Sequence, residues 1–348
     1  MALPERRARI EKAGGASPAP TEVNTMSQTI PFTQAAEFLK AHDNYLILTH
    51  KRPDGDTIGC AAGLCRALRK LGKTAYVLHN EDATVLMGSY LEGLTAPDGF
   101  APDTVVSTDV ATENLLPDSA AGWKGRIDLA IDHHPSQEFF AKETCLEADK
   151  AACGEIIWRI CGELGTMDGE IAVPLYVAIA TDCGCFVYAN TTPHTHRAAA
   201  ALMEQGIDFQ ALNKRHFRTK SVARMKLESL IIEHMHLYHN GTVAVAPISL
   251  ELIARAGATS EDTDDIAAFL GQLKGVLHTA TVREHEGGEC RVSVRTKADE
   301  LNATRVCARL GGGGHKAASG CTIKGTVEEA ERAILAAIDD QLAQPSQD

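Results

Sequence analysis

Positive charge is what this sequence is short of. Thirty-four lysines and arginines face 46 acidic residues, a formal net charge of -12. That balance excludes a sequence-independent grip on long DNA or RNA, which depends on many cationic contacts to phosphate. Small anionic substrates stay within reach where bound cations and a few basic side chains supply charge locally. No uninterrupted apolar stretch has the length of a membrane-spanning helix, and residues 1–25 lack the apolar region of a secretion signal. A membrane is therefore not an expected partner, and a cytoplasmic location is expected. The ten cysteines show no paired CxxC spacing, so they read as reduced thiols rather than zinc ligands or disulfides. Cys183 and Cys185 are only a weak metal signal. Residues 1–25, with Gly14-Gly15 and Pro18-Ala19-Pro20, are expected to form a disordered leader, with Met26 an alternative start.

What is present is a chain of 348 residues, 44% apolar, enough for two packed domains. Its organising stretch is Thr49-His50-Lys51-Arg52-Pro53-Asp54-Gly55-Asp56. The apolar run Tyr45-Leu46-Ile47-Leu48 before it has the character of a parallel-sheet strand, and residues 57–71 have helical apolar spacing. One imidazole and two carboxylates thus occupy a tight turn at a strand's carboxyl end, where open α/β sheets bind ligands. Alone, Pro53-Asp54-Gly55 reads as an ordinary solvated turn. A second signal overturns that reading: the apolar run 127–131 ends in Asp132-His133-His134. Between them, residues 104–108 read as a strand carrying Asp109 at its end.

Strand and helix patterns alternate to about residue 208, which predicts a parallel sheet with helices on both faces. Residues 74–78 supply another strand, and 154–164 and 171–180 supply helices, the second delivering Thr181-Asp182. Thr192-Pro193 opens a helix running to Gly206. Residues 209–235 are charged and helical in spacing, as expected of a linker helix. Beyond them, Asn240-Gly241 and Gly287-Gly288 sit between strand-like runs, so hairpins replace crossovers in a smaller α+β domain. In residues 290–297 alternation puts Arg291, Ser293, Arg295 and Lys297 on one strand face and Val292 and Val294 on the other. Gly311-Gly312-Gly313-Gly314-His315-Lys316 follows a helix over residues 302–309. Glycines let backbone N–H groups approach phosphate, and His315 and Lys316 add donors.

Together, His50, Asp54 and Asp56, then Asp109, then Asp132-His133-His134, then Thr181-Asp182, then residues 311–315 form an ordered set that resembles the DHH-DHHA1 phosphoesterases. Their short two-domain branch, the NrnA-like oligoribonucleases that also act as phosphatases on 3'-phosphoadenosine 5'-phosphate, is the nearest match. The resemblance covers nearly everything after the leader. It implies an α/β chain with a parallel-sheet DHH domain and flanking helices over 26–208, the linker helix, and a DHHA1 domain over 236–345. It implies two divalent ions, Mn2+ by preference for carboxylate and imidazole ligands without thiolate. His50, Asp54 and Asp109 would hold one, and Asp56, Asp109, His133 and Asp182 the other, with Asp109 bridging. Two such ions stabilise the attacking and leaving oxygens of an in-line displacement at phosphorus. His134 would face the reacting phosphate. Asp132 is either a ligand or a partner that orients a histidine. Arg295 and His315 match the family's phosphate binders, with Gly312, Gly313 and Gly314 close to the nucleotide.

The chain departs from the family at Cys183, Cys185 and Thr296, where threonine or serine is usual, without loss of a ligand. The implied activity is hydrolysis of short oligoribonucleotides to mononucleotides, with 3'-phosphoadenosine 5'-phosphate as a further substrate. Partners are short RNA and small nucleotides, and a homodimer is compatible with this reading. The alternatives are a cyclic or linear signalling-dinucleotide phosphodiesterase and a nucleotide-binding regulator without catalysis. The glycine stretch points away from inorganic pyrophosphatases, and the charge and length away from long-substrate exonucleases.

Overall fold

The computed structural model describes residues 27–259, 261–263 and 266–343; the expected leader and residues 344–345 of the second domain lie outside them. The chain divides into two units between Phe217 and Arg218. In the first, β1 (Gln28–Thr29), β2 (Tyr45–Leu48), β3 (Ala75–Val77), β4 (Thr104–Thr108), β5 (Leu129–Asp132) and β6 (Glu143–Leu146) form one sheet in the order β1-β6-β5-β4-β2-β3. All its pairings are parallel. From β2 the chain turns to β3 on one side and then to β4 on the other, which opens a crevice between β2 and β4. Leu48 lies opposite Ser107, and Ser107 opposite Ala130. Strands β2, β4 and β5 therefore end level, and the segments that follow them emerge side by side.

Period-two alternation splits each strand between two cores. Tyr45, Ile47, Val106, Leu129 and Ile131 face a core shared with the helices Phe32–Ala41, Gly55–Lys70, Cys153–Leu164, Gly169–Asp182 and Pro193–Met203. Leu46, Leu48, Val105 and Ala130 face a smaller core with Leu116, Ala120 and Ile127. Among the described residues that second face is closed by the 3-10 turns Glu113–Leu115 and Asp118–Trp123, flanked by Trp123 and Phe140. Helices on both faces are thus corrected to long helices on one. Bulky side chains on short turns cover the other, an arrangement that strand-helix alternation does not reveal.

The second unit holds β7 (His236–Tyr238), β8 (Val243–Ile248), β9 (His278–His285), β10 (Glu289–Thr296), β11 (Gly313–Gly314) and β12 (Ala318–Lys324), in the order β11-β12-β10-β9-β8-β7. The two expected hairpins are β7/β8 and β9/β10. One crossover persists, however: β8 and β9 pair in parallel, joined through the helices Leu250–Ala256 and Ile266–Leu270. The helix Val327–Leu342, opened by a Thr326–Glu329 capping box, covers one side of the sheet with Ala303–Ala308. The expected single linker helix over 209–235 is interrupted. A helix Phe209–Asn213 passes into a π-turn Lys214–Arg218, and a new helix Val222–His234 starts at Ser221, whose hydroxyl accepts from the Arg224 N–H. A serine that satisfies a free N–H at a first turn marks a start rather than a continuation.

Candidate metal centre

The three level strand ends carry the candidate ligands. Asp109 follows β4 with a left-handed backbone, φ 59°, a conformation disfavoured for most side-chain-bearing residues. The Asp109 N–H donates to Ile131 O at 2.9 Å, which locks the strained residue to the end of β5. Asp54 caps the Gly55–Lys70 helix, its Oδ1 accepting from the N–H groups of Asp56 and Thr57 at 3.0 and 3.2 Å. Asp56 is buried and accepts from the N–H groups of Cys153 and Gly154 at 2.7 and 2.9 Å. The Cys153–Leu164 helix has no side-chain cap of its own, so Asp56 serves its free N–H groups from across the sheet edge. Asp182 is the last residue of the Gly169–Asp182 helix.

A stripe of glycines brings these carboxylates together. Gly55, Gly59 and Gly63 lie one turn apart on one helix face, where a Cβ would collide with Thr181, with Pro174 O and Ala178, and with Leu175. The helices Gly55–Lys70 and Gly169–Asp182 therefore pack backbone to backbone, which carries Asp182 to the Asp54-Asp56 turn. Thr57 Oγ1 ties the same helix to Thr108 O at 2.8 Å. The sequence reading missed this stripe; its signal was the i, i+4, i+8 spacing of glycine in a helix, where glycine otherwise only destabilises.

Three groups of mutually close ligand-type atoms result: one trio of His50, Asp54 and Asp109, a second trio of Asp56, His133 and Asp182, and a set of Asp109, His133 and His134 that overlaps both. His50 Nε2 lies 3.6 Å from Asp54 Oδ1 and 3.7 Å from Asp109 Oδ2. His133 Nε2 lies 3.8, 3.4 and 3.7 Å from Asp56 Oδ2, Asp109 Oδ1 and Asp182 Oδ2. Asp109 thus turns one oxygen to each trio. His50 Nδ1 bonds Lys51 O at 2.9 Å and His133 Nδ1 bonds Lys150 O at 3.1 Å. A carbonyl accepts, so Nδ1 carries a proton in both rings and Nε2 is the nitrogen left among the carboxylates to take either a second proton or a cation.

Electrostatics point the same way. Burial, with Asp109 and Asp182 nearby, pushes Asp56 well above the ordinary carboxylate range, and burial raises Asp182 to about 7. Burial acts to lower His133, but Asp109, Asp56 and Asp182 outweigh it and raise it to about 11. His50 likewise rises, against its burial, through Asp109 and Asp54. Burial acts to raise Asp109, yet His133 and His50 hold it below the usual range. A cluster whose burial and crowding raise Asp56 and Asp182 is complementary to cations. The buried Asp109 Oδ1 accepts no hydrogen bond. An orphaned carboxylate oxygen between two imidazoles fits a divalent cation and is costly otherwise.

Asp132 belongs to neither trio. Its Oδ1 accepts from the His133 and His134 N–H groups and from His134 Nδ1 at 2.8, 3.2 and 2.8 Å, and its Oδ2 from Gln137 Nε2 at 2.7 Å. With both oxygens engaged, it orients His134, whose Nδ1 also lies 3.4 Å from Asp109 Oδ1. Burial acts to lower His134, but Asp132 and Asp109 outweigh it and raise it. The buried Cys183 thiol, pushed up by burial to about 12, is in neither trio.

In the second unit Arg295 is half-buried on β10, opposite Ala318 of β12. The exposed His315 exchanges backbone hydrogen bonds with that same Ala318, at 2.7 and 3.1 Å, so the register brings both residues to one end of the sheet. The expected glycine loop is partly a strand: Gly313 and Gly314 pair with Gly320 and Ser319. A Cβ on Gly312 would strike Gly320 O and Cys321, and one on Gly314 would lie 2.7 Å from Ala318 O. Close backbone pairing, as well as ligand approach, demands glycine there.

Residues 44–181 match the DHH family, N-terminal domain, and residues 240–344 the DHHA1 domain. The chain is 32% identical over 313 residues to the bifunctional oligoribonuclease and PAP phosphatase NrnA of Thermus thermophilus, spanning 88% of this chain and 93% of that protein. It is 25% identical over 318 residues to the Bacillus subtilis protein of the same description, with 88% and 97% covered. An exopolyphosphatase-related protein from Bacteroides fragilis shares the fold at a TM-score of 0.79 and 22% identity, over 89% of this chain and 95% of that one. With both domains matched in order and a relative of that identity aligned over nearly its whole length, the chain belongs to the DHH-DHHA1 phosphoesterase family.

Proposed function

We propose that this protein is a metal-dependent phosphoesterase that hydrolyses short oligoribonucleotides to mononucleotides and also removes the 3'-phosphate of 3'-phosphoadenosine 5'-phosphate. The observation that carries this reading is the pair of trios at the strand ends with Asp109 between them, a member of one and with its Oδ1 3.4 Å from His133 of the other. His50, Asp54 and Asp109 hold one divalent ion, and Asp56, Asp109, His133 and Asp182 the other. Carboxylate and imidazole donors without thiolate favour Mn2+. When bound, the ions supply Lewis-acid stabilisation of the attacking and leaving oxygens at phosphorus. The chain's own groups do the rest. Asp132 accepts a hydrogen bond from His134 Nδ1, which leaves Nε2 as the proton-exchanging atom, and against burial Asp132 and Asp109 favour the cationic ring beside the reacting phosphate. Arg295, His315 and the backbone of Gly312, Gly313 and Gly314 bind the substrate's other phosphate.

The test is an initial-rate panel with Mn2+: linear dinucleotides, longer oligomers, 3'-phosphoadenosine 5'-phosphate, pyrophosphate and cyclic dinucleotides. Linear dinucleotides are expected to turn over fastest. Preference for pyrophosphate would overturn the reading, and preference for cyclic dinucleotides would replace it with a signalling phosphodiesterase.

A further inference from the structure

One segment, residues 150–155, bonds Asp56 and His133 of the second trio directly and is linked through Asn190 to the backbone carbonyl of Asp182. Lys150 O accepts from His133 Nδ1. The Cys153 and Gly154 N–H groups donate to Asp56. Asn190 Nδ2 donates to both Ala151 O and Asp182 O, each at 3.1 Å. The other trio receives none of these contacts.

What fixes this segment is Glu155, a fully buried carboxylate outside both trios. Its Oε1 accepts from the Ala151 N–H at 3.2 Å and from Thr195 Oγ1 at 2.8 Å, while its Oε2 takes His194 Nδ1 at 2.5 Å. Thr195 belongs to the capping box with Thr192 that opens the Pro193–Met203 helix. Glu155 therefore clamps the segment to an independent helix start. An apolar side chain would fill the space without the cost of burying a charge, so the carboxylate's contribution is placement.

We infer that Glu155 is a positioning residue for the cation site of Asp56, His133 and Asp182, acting through the 150–155 segment; the inference rests on the two-cation reading above. Glu155→Ala releases the Ala151 N–H and the Thr195 hydroxyl, and the affinity of that site falls about 10- to 100-fold, as when the partner of a metal ligand is lost. The His50-Asp54-Asp109 site keeps its affinity. Glu155→Gln restores most of the loss, because the amide oxygen accepts the same two donors while its NH2 faces His194 Nδ1, which accepts in its other tautomer.

The experiment titrates the full chain with Mn2+, following free ion by electron paramagnetic resonance, in wild type, Glu155→Ala, Glu155→Gln and Thr195→Val, with a thermal melt of each. Asp54→Ala, which removes a ligand of the other trio, assigns the two binding classes. Selective weakening of one class in Glu155→Ala, recovery in Glu155→Gln and a smaller selective loss in Thr195→Val are expected. Thr195→Val carries the test if Glu155→Ala does not fold. Two unchanged affinities in folded variants, or equal losses at both sites that track the melt, overturn the inference alone. A wild-type chain that binds a single ion overturns the two-cation reading, and this inference with it.

Discussion

The candidate ligands of the first unit and the candidate phosphate binders of the second are held by different means. Asp56 and Asp109 are buried: Asp56 accepts from the Cys153 and Gly154 N–H groups of a distant helix start, and the Asp109 N–H donates to Ile131 O of the neighbouring strand. His315 is exposed, and it follows a two-residue strand held by two register pairs. The candidate ligands are braced from several directions, whereas of the proposed phosphate binders Arg295 is half-buried on β10, paired on both sides, and His315 is carried on exposed backbone. On the proposed reading the first set carries the chemistry and the second the recognition, and substitutions should separate them.

Asp109→Ala removes the carboxylate that turns one oxygen to each trio. Turnover should fall on the order of 10^3-fold or more on every substrate, with Mn2+ content falling while circular dichroism stays folded. A variant that keeps two ions and normal turnover removes the bridge from the account. His315→Ala deletes a donor for the remote phosphate, so dinucleotide hydrolysis should drop about 10- to 100-fold. Bis-p-nitrophenyl phosphate, which has no second phosphate, should lose far less, and His134→Ala should depress both substrates. Equal losses on both substrates for His315→Ala would erase the distinction between the two regions.

Two smaller effects sharpen it. Gly59→Ala sets a Cβ against Pro174 O and 2.8 Å from the Ala178 Cβ. The helices must part, at a cost of about 1–3 kcal/mol, read as a lower melting temperature together with weaker Mn2+ binding. An unchanged melt would show that the glycine stripe is not what sets the spacing. The smallest effect is a proton count. At pH 7 the ion-free protein holds a proton on His133 and a partial one on Asp182, whose values lie near 11 and 7. Cations compete with those protons, so affinity rises with pH and binding releases about one proton or more. Calorimetry in two buffers of different ionisation enthalpy measures that number, and no release would contradict the charge deficit at the cluster.

All residues of both trios except Asp182 were legible in the sequence because they follow apolar runs short enough to be buried strands, and such a sheet can present strand-end residues at only one edge; Asp182 instead ends a helix. What positions them was not. The stripe of Gly55, Gly59 and Gly63 gains its meaning from a helix more than a hundred residues away. The roles of the Cys153 and Gly154 N–H groups, Gln137 and Glu155 likewise exist only after folding, since any sequence offers backbone donors everywhere. Alternation predicted the parallel sheet but not its one-sided helices, because side chains on 3-10 turns leave no periodic trace. The linker was read as continuous because charge and spacing persist through it; Ser221, the cap of a new helix, was the signal of a fresh start. Four glycines read as a loop concealed β11, whose pairing to β12 depends on the missing side chains.

The central claim is that two cations share Asp109. Anomalous diffraction at the manganese edge from crystals grown with Mn2+ tests it most directly. Two peaks are expected, one among His50, Asp54 and Asp109 and one among Asp56, Asp109, His133 and Asp182, each within bonding distance of a different Asp109 oxygen. A single peak, or two peaks of which only one touches Asp109, would contradict it.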